Sequence, residues 1–210
     1  LVVIYFSAAQ SSGFTGMMGW MALALALVPL CMVMAAVWWI DRWEPEPPGI
    51  LSAAFLWGAG VATVISLVIN TSASFLVASS TGSKSGTELF SRVVSAPIVE
   101  ESTKALGVLI IFLIWRRLFN GPVDGIVYAC VVAGGFAFAE NILYFVRSTS
   151  TAELVVTFVM RGVLSPFAHP TFTACTGLAI GASARMRSSQ AWVWMTPLGL
   201  ACAIVLHAFW

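Results

Sequence analysis

The sequence predicts an all-α fold, a polytopic membrane bundle of about six transmembrane helices with short interfacial helices. Of its 210 residues, 60% are hydrophobic and only 9% charged, with a mean hydropathy of +0.94. A soluble domain carries about 25% charged residues. The apolar residues come in runs of about 20, the length that crosses about 30 Å of hydrocarbon as a helix. Charged or Pro-rich tracts separate the runs, and the short alternating segments of a membrane β-barrel are not seen. This composition excludes a soluble enzyme and a disordered chain. A net charge of +1 leaves no field that would recruit nucleic acid.

The first span reads as Met17 to Ile40, ended by the tract Asp41-Arg42-Trp43-Glu44-Pro45-Glu46-Pro47-Pro48. Charge and proline together make that tract an interfacial loop. The second span is Ile50 to Ala78, and the polar stretch Ser79 to Gly86 is a loop. Thr87 to Val94 is expected as a short surface helix. The third span runs from Ala96-Pro97 to Trp115, with Pro97 in the first turn, where a missing N–H costs little. Asn120-Gly121-Pro122 is a turn, and the fourth span covers Val123 to Val146. Thr151 to Val163 reads as an interfacial helix, Pro166 to Ala184 as the fifth span and Ala191 to Trp210 as the sixth. Residues 1–210 form one membrane-embedded unit. Leu1 to Phe6 reads as the tail of an apolar segment and Trp210 falls inside an apolar run, so the chain is expected to be the core of a longer protein. Cys31, Cys130, Cys175 and Cys202 sit singly in apolar runs and are expected as small buried side chains, without disulfides or a thiolate metal site.

Orientation follows from Lys and Arg near the span ends. The loops after spans one, three and five carry Arg42, Arg116, Arg117, Arg185 and Arg187; those after spans two and four carry Lys84, Arg92, Arg147 and Arg161. The first set is placed in the cytoplasm, because its Arg pairs lie closest to the span ends.

An ionisable group at membrane depth costs at least about 2.5–3.5 kcal/mol and points to function. Those present are Glu100, Glu101 and Lys104 in span three, Glu140 in span four, His169 in span five and His207 in span six. Because successive spans alternate in direction, Glu100, Glu140, His169 and His207 all fall within about 10 Å of one interface, at about 1.5 Å per residue. Chance would scatter them between leaflets. Glu100 and Lys104 are i,i+4 and share a helix face, whereas Glu101 points about 100° away. Phe136, Glu140 and Tyr144 form an i,i+4,i+8 stripe beside Asn141, with Tyr144 in reach of Glu140. His169 precedes Pro170, which biases its backbone away from α-helix. Asp124, at the other end of span four, reads as a turn or N-cap residue.

Two or three Glu and two His in a wet intramembrane pocket suit hydrolysis. A carboxylate activates water, and His or a second Glu stabilises the oxyanion or protonates the leaving amine. In a second version His and Glu hold a metal that acidifies the water, its ligands dispersed over several helices because no HExxH spacing occurs. A proton- or ion-coupled transporter would use the same residue types, although paired Gly/Pro-broken half-helices are not evident. A non-catalytic membrane scaffold would not need the carboxylates.

At these residues the sequence resembles a known family. Val99-Glu100-Glu101-Ser102-Thr103-Lys104 resembles the EExxK motif of PrsW-type intramembrane proteases. Phe136 to Tyr144, with Glu140-Asn141, resembles their second motif, FxxxEN followed by an aromatic. Ser165-Pro166-Phe167-Ala168-His169 is similar to the third and Leu206-His207-Ala208-Phe209-Trp210 to the last. The tract from Asp41 to Pro47 and the segment Gly121-Pro122-Val123-Asp124-Gly125 are also similar to family sequence. The resemblance implies a membrane-embedded endopeptidase related to the CAAX prenyl protease and bacteriocin-processing superfamily. There the second motif usually ends in His, whereas here, as in the PrsW branch, it ends in Glu140. It implies catalytic roles for Glu100, Glu101, Glu140, His169 and His207, with Lys104, Phe136, Asn141 and Tyr144 in support. The chemistry is either a metal-free glutamate mechanism or a divalent metal, zinc, at Glu140, His169 and His207. The implied setting is a bacterial plasma membrane; span counting and the Arg-rich loops, not the resemblance, put the site toward the non-cytoplasmic side. The implied partner is a membrane-anchored protein such as an anti-sigma factor.

Overall fold

The computed structural model describes residues 15–210, with side chains from Gly19 onward; the apolar segment at Leu1–Phe6 lies outside the described residues. Helices account for all the regular structure among them. In chain order these are α1 (Thr15–Asp41), α2 (Pro48–Leu56), α3 (Thr63–Thr81), α4 (Lys84–Phe90), α5 (Ala96–Ile114), α6 (Pro122–Arg147), α7 (Thr151–Phe158), α8 (Ala168–Ala184) and α9 (Trp192–Phe209). Single π segments join three of the pairs: Trp57–Ala62 between α2 and α3, Ser91–Ser95 between α4 and α5, and Val159–Leu164 after α7.

Five helical stretches are long and apolar enough to cross a membrane: Gly19–Asp41, Pro48–Thr81, Pro122–Arg147, Thr151–Ala184 and Trp192–Phe209. The sixth expected span, α5, is a helix of 19 residues that carries Glu100, Glu101 and Lys104. The large side chains Trp38, Phe75, Leu164 and Phe209 point outward, where lipid is the solvent.

Three expectations change. Thr87–Val94 is not a separate surface helix; it belongs to a helical run that passes through the π segment into α5. Its residues keep backbone bonding along the run, so the chain has no reason to break there. His169 is helical, in the first turn of α8, where Pro170 lacks only an N–H that would be unpaired anyway. The irregular backbone lies just before, at Ser165–Phe167. Cys31 and Cys202 are exposed, so these two thiols lie on outer helix faces, whereas Cys175 is half-buried and Cys130, also half-buried, packs against the core.

Helix α6 is the centre of the bundle. Of its apolar window 61% is buried, against 28% or less for the other four spans. It packs on α1, α2, α5 and α8. Val127, Tyr128, Val131 and Val132 meet Val108, Ile111 and Phe112 of α5, Val33 and Val37 of α1 and Ile180 of α8. Small residues let the backbones touch. A methyl group added at Gly177 would lie 2.1 Å from the Gly125 carbonyl oxygen, so α6 and α8 meet there without side chains between them.

The two Pro-containing loops are tied together at one end of the bundle. Asn120 Nδ2 donates to Glu44 Oε1 at 2.6 Å, and Tyr128 Oη donates to Glu46 Oε2 at 2.6 Å. The Gly121 N–H donates to Asp124 Oδ2 at 3.0 Å, which caps α6 as its sequence position suggested.

Candidate functional site

At the opposite end of the bundle the intramembrane charges come together. Glu100, Glu101 and Lys104 come from the first turns of α5, Glu140 and Asn141 from the late part of α6, His169 and Thr173 from the start of α8, and His207 from the end of α9. Alternating helix direction is what delivers them to one depth.

Glu101 and Lys104 are fully buried and form the centre of the cluster. Lys104 Nζ donates to Glu101 Oε1 at 2.7 Å. Thr173 Oγ1 donates to Glu101 Oε2 at 2.8 Å, and His207 Nδ1 lies 3.1 Å from Glu101 Oε1. Three groups therefore hold Glu101 in place. Lys104 Nζ also sits 2.9 Å from His169 Nδ1 and 4.1 Å from the centre of the Phe136 ring. An ammonium group can only donate, so His169 Nδ1 accepts and the ring proton sits on Nε2. That Nε2 lies 2.9 Å from Glu140 Oε2 and donates to it. The imidazoles of His169 and His207 are edge to face with centroids 5.2 Å apart, and Phe172 stacks on His207.

Glu100 differs. It is buried, and its Oε2 has no hydrogen-bond partner among the described residues; Lys104 Nζ is 4.0 Å away. Sequence spacing puts Lys104 on the face of Glu100, but the ammonium turns to Glu101 at i,i+3. The shared face leaves Glu100 free rather than tuned by direct contact.

Arg161 and Thr173 are not singled out by the sequence. Arg161 reads there as a loop charge, yet the π segment Val159–Leu164 carries it back over α6. Its Nη2 donates to Glu140 Oε2, its Nε to Asn141 Oδ1 at 2.9 Å, and its guanidinium covers the Tyr144 ring at 4.1 Å. Tyr144 thus meets Glu140 through Arg161. For Thr173 the available signal is its i+4 spacing from His169.

The donor set fits a divalent metal in part: Glu100 Oε2 and His207 Nε2 have lone pairs to give, whereas His169 is engaged at Nδ1 by Lys104 and at Nε2 by Glu140 and would ligate only on losing one of these bonds. One ligand atom each from Glu100, His169 and His207 lies within 4.8 Å of the others. The sequence reading names Glu140 beside the two histidines; the ligand atoms that converge are those of Glu100, because Glu140 Oε2 is held by Arg161 and His169. His207 donates through Nδ1 to Glu101 and so keeps a lone pair on Nε2, the carboxylate–imidazole arrangement common behind metal-bound histidines. Three carboxylates (Glu100, Glu101, Glu140) stand against two fixed cations (Lys104, Arg161), which leaves one negative charge for a proton or a metal ion to meet. A cavity of about 530 Å³ opens onto Glu100, Glu140, Arg161, His169 and His207.

The sequence profile described as PrsW family intramembrane metalloprotease matches residues 46–210. The chain is 33% identical to the protein named Protease PrsW of Clostridioides difficile (strain 630) over 163 residues, 76% of this chain and 66% of that relative. It is 31% identical to the Protease PrsW of Geobacillus kaustophilus (strain HTA426) over 141 residues, 67% of this chain and 57% of that relative. The matches thus span less than two thirds of the relatives' own length, 66% of the first and 57% of the second. No solved structure matches the chain. With a profile that covers most of its length and all four motifs, the chain belongs to the PrsW family.

Proposed function

We propose that the chain is an intramembrane endopeptidase that hydrolyses a peptide bond of a membrane-anchored protein of the anti-sigma-factor kind. Glu100, Glu101, Glu140, His169 and His207 form its catalytic centre. The observation that carries the reading is the unpartnered oxygen of Glu100, buried near two histidines on a residue that lines the same cavity as they do. A buried carboxylate oxygen without a donor is costly unless water, substrate or a cation completes it.

In this reading Glu100 and the Nε2 lone pair of His207 are the two groups able to take a proton from an attacking water. Glu101 positions His207 by accepting from Nδ1, while Lys104 and Thr173 fix Glu101. Glu140, pinned by Arg161, fixes the His169 ring. Glu100 and His207, joined by His169 once it gives up its bond to Lys104 or Glu140, are the residues that would hold a divalent metal. Bound there, it would acidify water and polarise the peptide carbonyl. The proton passed to Glu100 or His207 then returns to the leaving amine.

The test is cleavage of a single-span substrate by purified chain in liposomes. Glu100→Gln and Glu101→Gln are each expected to lower kcat/KM by at least about 10²-fold. Near-normal cleavage by both variants sinks the assignment. Proton uptake into liposomes without any peptide cleavage would instead support a transporter. Metal analysis of the active protein separates the chemistries. Full activity in metal-free protein leaves the carboxylates and imidazoles to act alone.

A further inference from the structure

Glu100 stands between two cavities, not one. The first, about 530 Å³, holds the histidines and Arg161. The second, about 330 Å³, lies against α3, and its wall includes Thr63, Ser66, Asn70 and Ser74, with Ser91 facing them. Ala96, Glu100, Glu140 and Tyr144 line both, so the two cavities adjoin at a shared wall that includes Glu100. Residues 63, 66, 70 and 74 follow i,i+3,i+4 spacing and occupy one face of α3. The outward face carries Val68, Phe75 and Leu76, all exposed to lipid.

Some of this polar face serves helix packing. Ser66 Oγ lies 3.0 Å from Thr103 Oγ1, Asn70 Oδ1 accepts from Ser95 Oγ at 2.7 Å, and Ser74 Oγ donates to Ser91 Oγ at 3.3 Å. Capacity is left over: the Asn70 amide N–H groups bond to no described residue. A transmembrane substrate makes a matching demand. A peptide bond inside a helix is shielded by its own backbone bonding, so cleavage requires a few residues to unwind. Each backbone N–H or C=O so released costs several kcal/mol in hydrocarbon unless a partner replaces the helix. The volume is that of a ligand pocket, roughly 300–1,000 Å³.

We propose that the α3 wall of the second cavity is a substrate subsite that binds the unwound backbone on the side of the scissile bond away from the histidines. There Asn70 donates to a substrate carbonyl. The inference rests on the peptidase reading above and names what that site recognises: exposed main chain rather than a particular side chain. Segments with weak helix propensity, such as Gly pairs, are therefore the favoured cleavage regions.

The probe is a synthetic single-span peptide of about 25 residues, Leu/Ala-rich, with a Gly-Gly pair about one turn from its non-cytoplasmic end. Full chain in lipid nanodiscs is given versions carrying benzophenylalanine on either side of the cut, and adducts are mapped by mass spectrometry. The expected result is adducts on the polar face of α3, at residues 63, 66, 70 and 74, from one side of the cut only, and on residues 207–210 from the other. Asn70→Leu is expected to raise KM about 10-fold with kcat little changed, and Asn70→Gln to restore most of the loss. Wild-type cleavage with adducts only on the lipid face, at Val68 or Phe75, or on α3 equally from both sides, overturns the subsite and leaves the peptidase reading standing. If wild type does not cut the peptide, the peptidase reading falls and the subsite with it.

Discussion

Arg161 is the residue whose role the chain's fold creates. It touches Glu140 and Asn141 and covers Tyr144, so it fixes the carboxylate that in turn fixes His169. Arg161→Met is expected to lower kcat by about 10- to 100-fold, the usual range for a group one step behind the reacting centre. Arg161→Lys keeps the charge but not the two-pronged grip, and is expected to fall between. Equal activity of Met and wild type, measured on the same peptide, would show that Glu140 needs no such anchor. The site's Glu and His were legible because a charge in an apolar run has no bland explanation. Arg161 was not, because it reads as a charge of the loop after span four, although its neighbours Val159, Met160, Val163 and Leu164 are apolar. Outside the membrane, burial raises the Glu46 carboxyl above the ordinary range, with Asp124 and Asp41 adding to it against the lowering bond from Tyr128. A carboxyl raised on folding helps stability below its unfolded pKa and loses that help as pH rises through the folded value. Glu46→Gln, which can still accept from Tyr128, is therefore expected to raise Tm at about pH 8 and to match wild type at about pH 4. A variant that melts lower at both pH values would contradict this.

The spans themselves were legible from run length and breakers, to within a few residues at most ends. What the sequence does not reveal is the register change within them. A π segment shifts backbone bonding by one residue and leaves no side-chain signature, yet Ser91–Ser95 sets the face that α5 turns inward and Val159–Leu164 returns Arg161 to the site. Helix contact, by contrast, was written in spacing. Gly121 and Gly125 on one side and Gly177 and Gly181 on the other are each four apart, and they meet where α6 touches α8. The obstacle at Gly177 is mainly backbone, so a methyl group cannot be accommodated by rotating a side chain. Gly177→Ala is expected to push α8 off α6, at a cost of about 1–3 kcal/mol. His169 and Thr173 ride on α8, so activity should fall together with Tm. Unchanged melting with lost activity would mean the contact is not a packing contact at all.

At the scale of the whole molecule the two ends of the bundle differ. One end holds the Glu46–Tyr128 and Asn120–Glu44 loop contacts, together with Arg116 and Arg185 bonded to Ser189 and Asn120 carbonyls. The other end holds the candidate site. Arg116, Arg117, Arg185 and Arg187 all belong to the first end, and positive loops stay in the cytoplasm. The site is then expected near the non-cytoplasmic face, where water reaches it over a short path and the cut falls close to where a substrate leaves the membrane. Ser83 and Ser188 are exposed positions on opposite sides of this axis. Ser83 caps α4 by accepting from the Gly86 N–H at 3.1 Å, a contact worth about 1 kcal/mol and not one that holds the bundle together. In cells carrying Ser83→Cys or Ser188→Cys, an impermeant thiol reagent is expected to label the first and not the second. The native Cys31 and Cys202 face lipid rather than water, which keeps the background low. Labelling of Ser188→Cys alone would invert the protein and move the cut to the cytoplasmic side. The site's geometry would be untouched, because bringing Glu100, Glu140, His169 and His207 to one depth depends only on helices that alternate in direction.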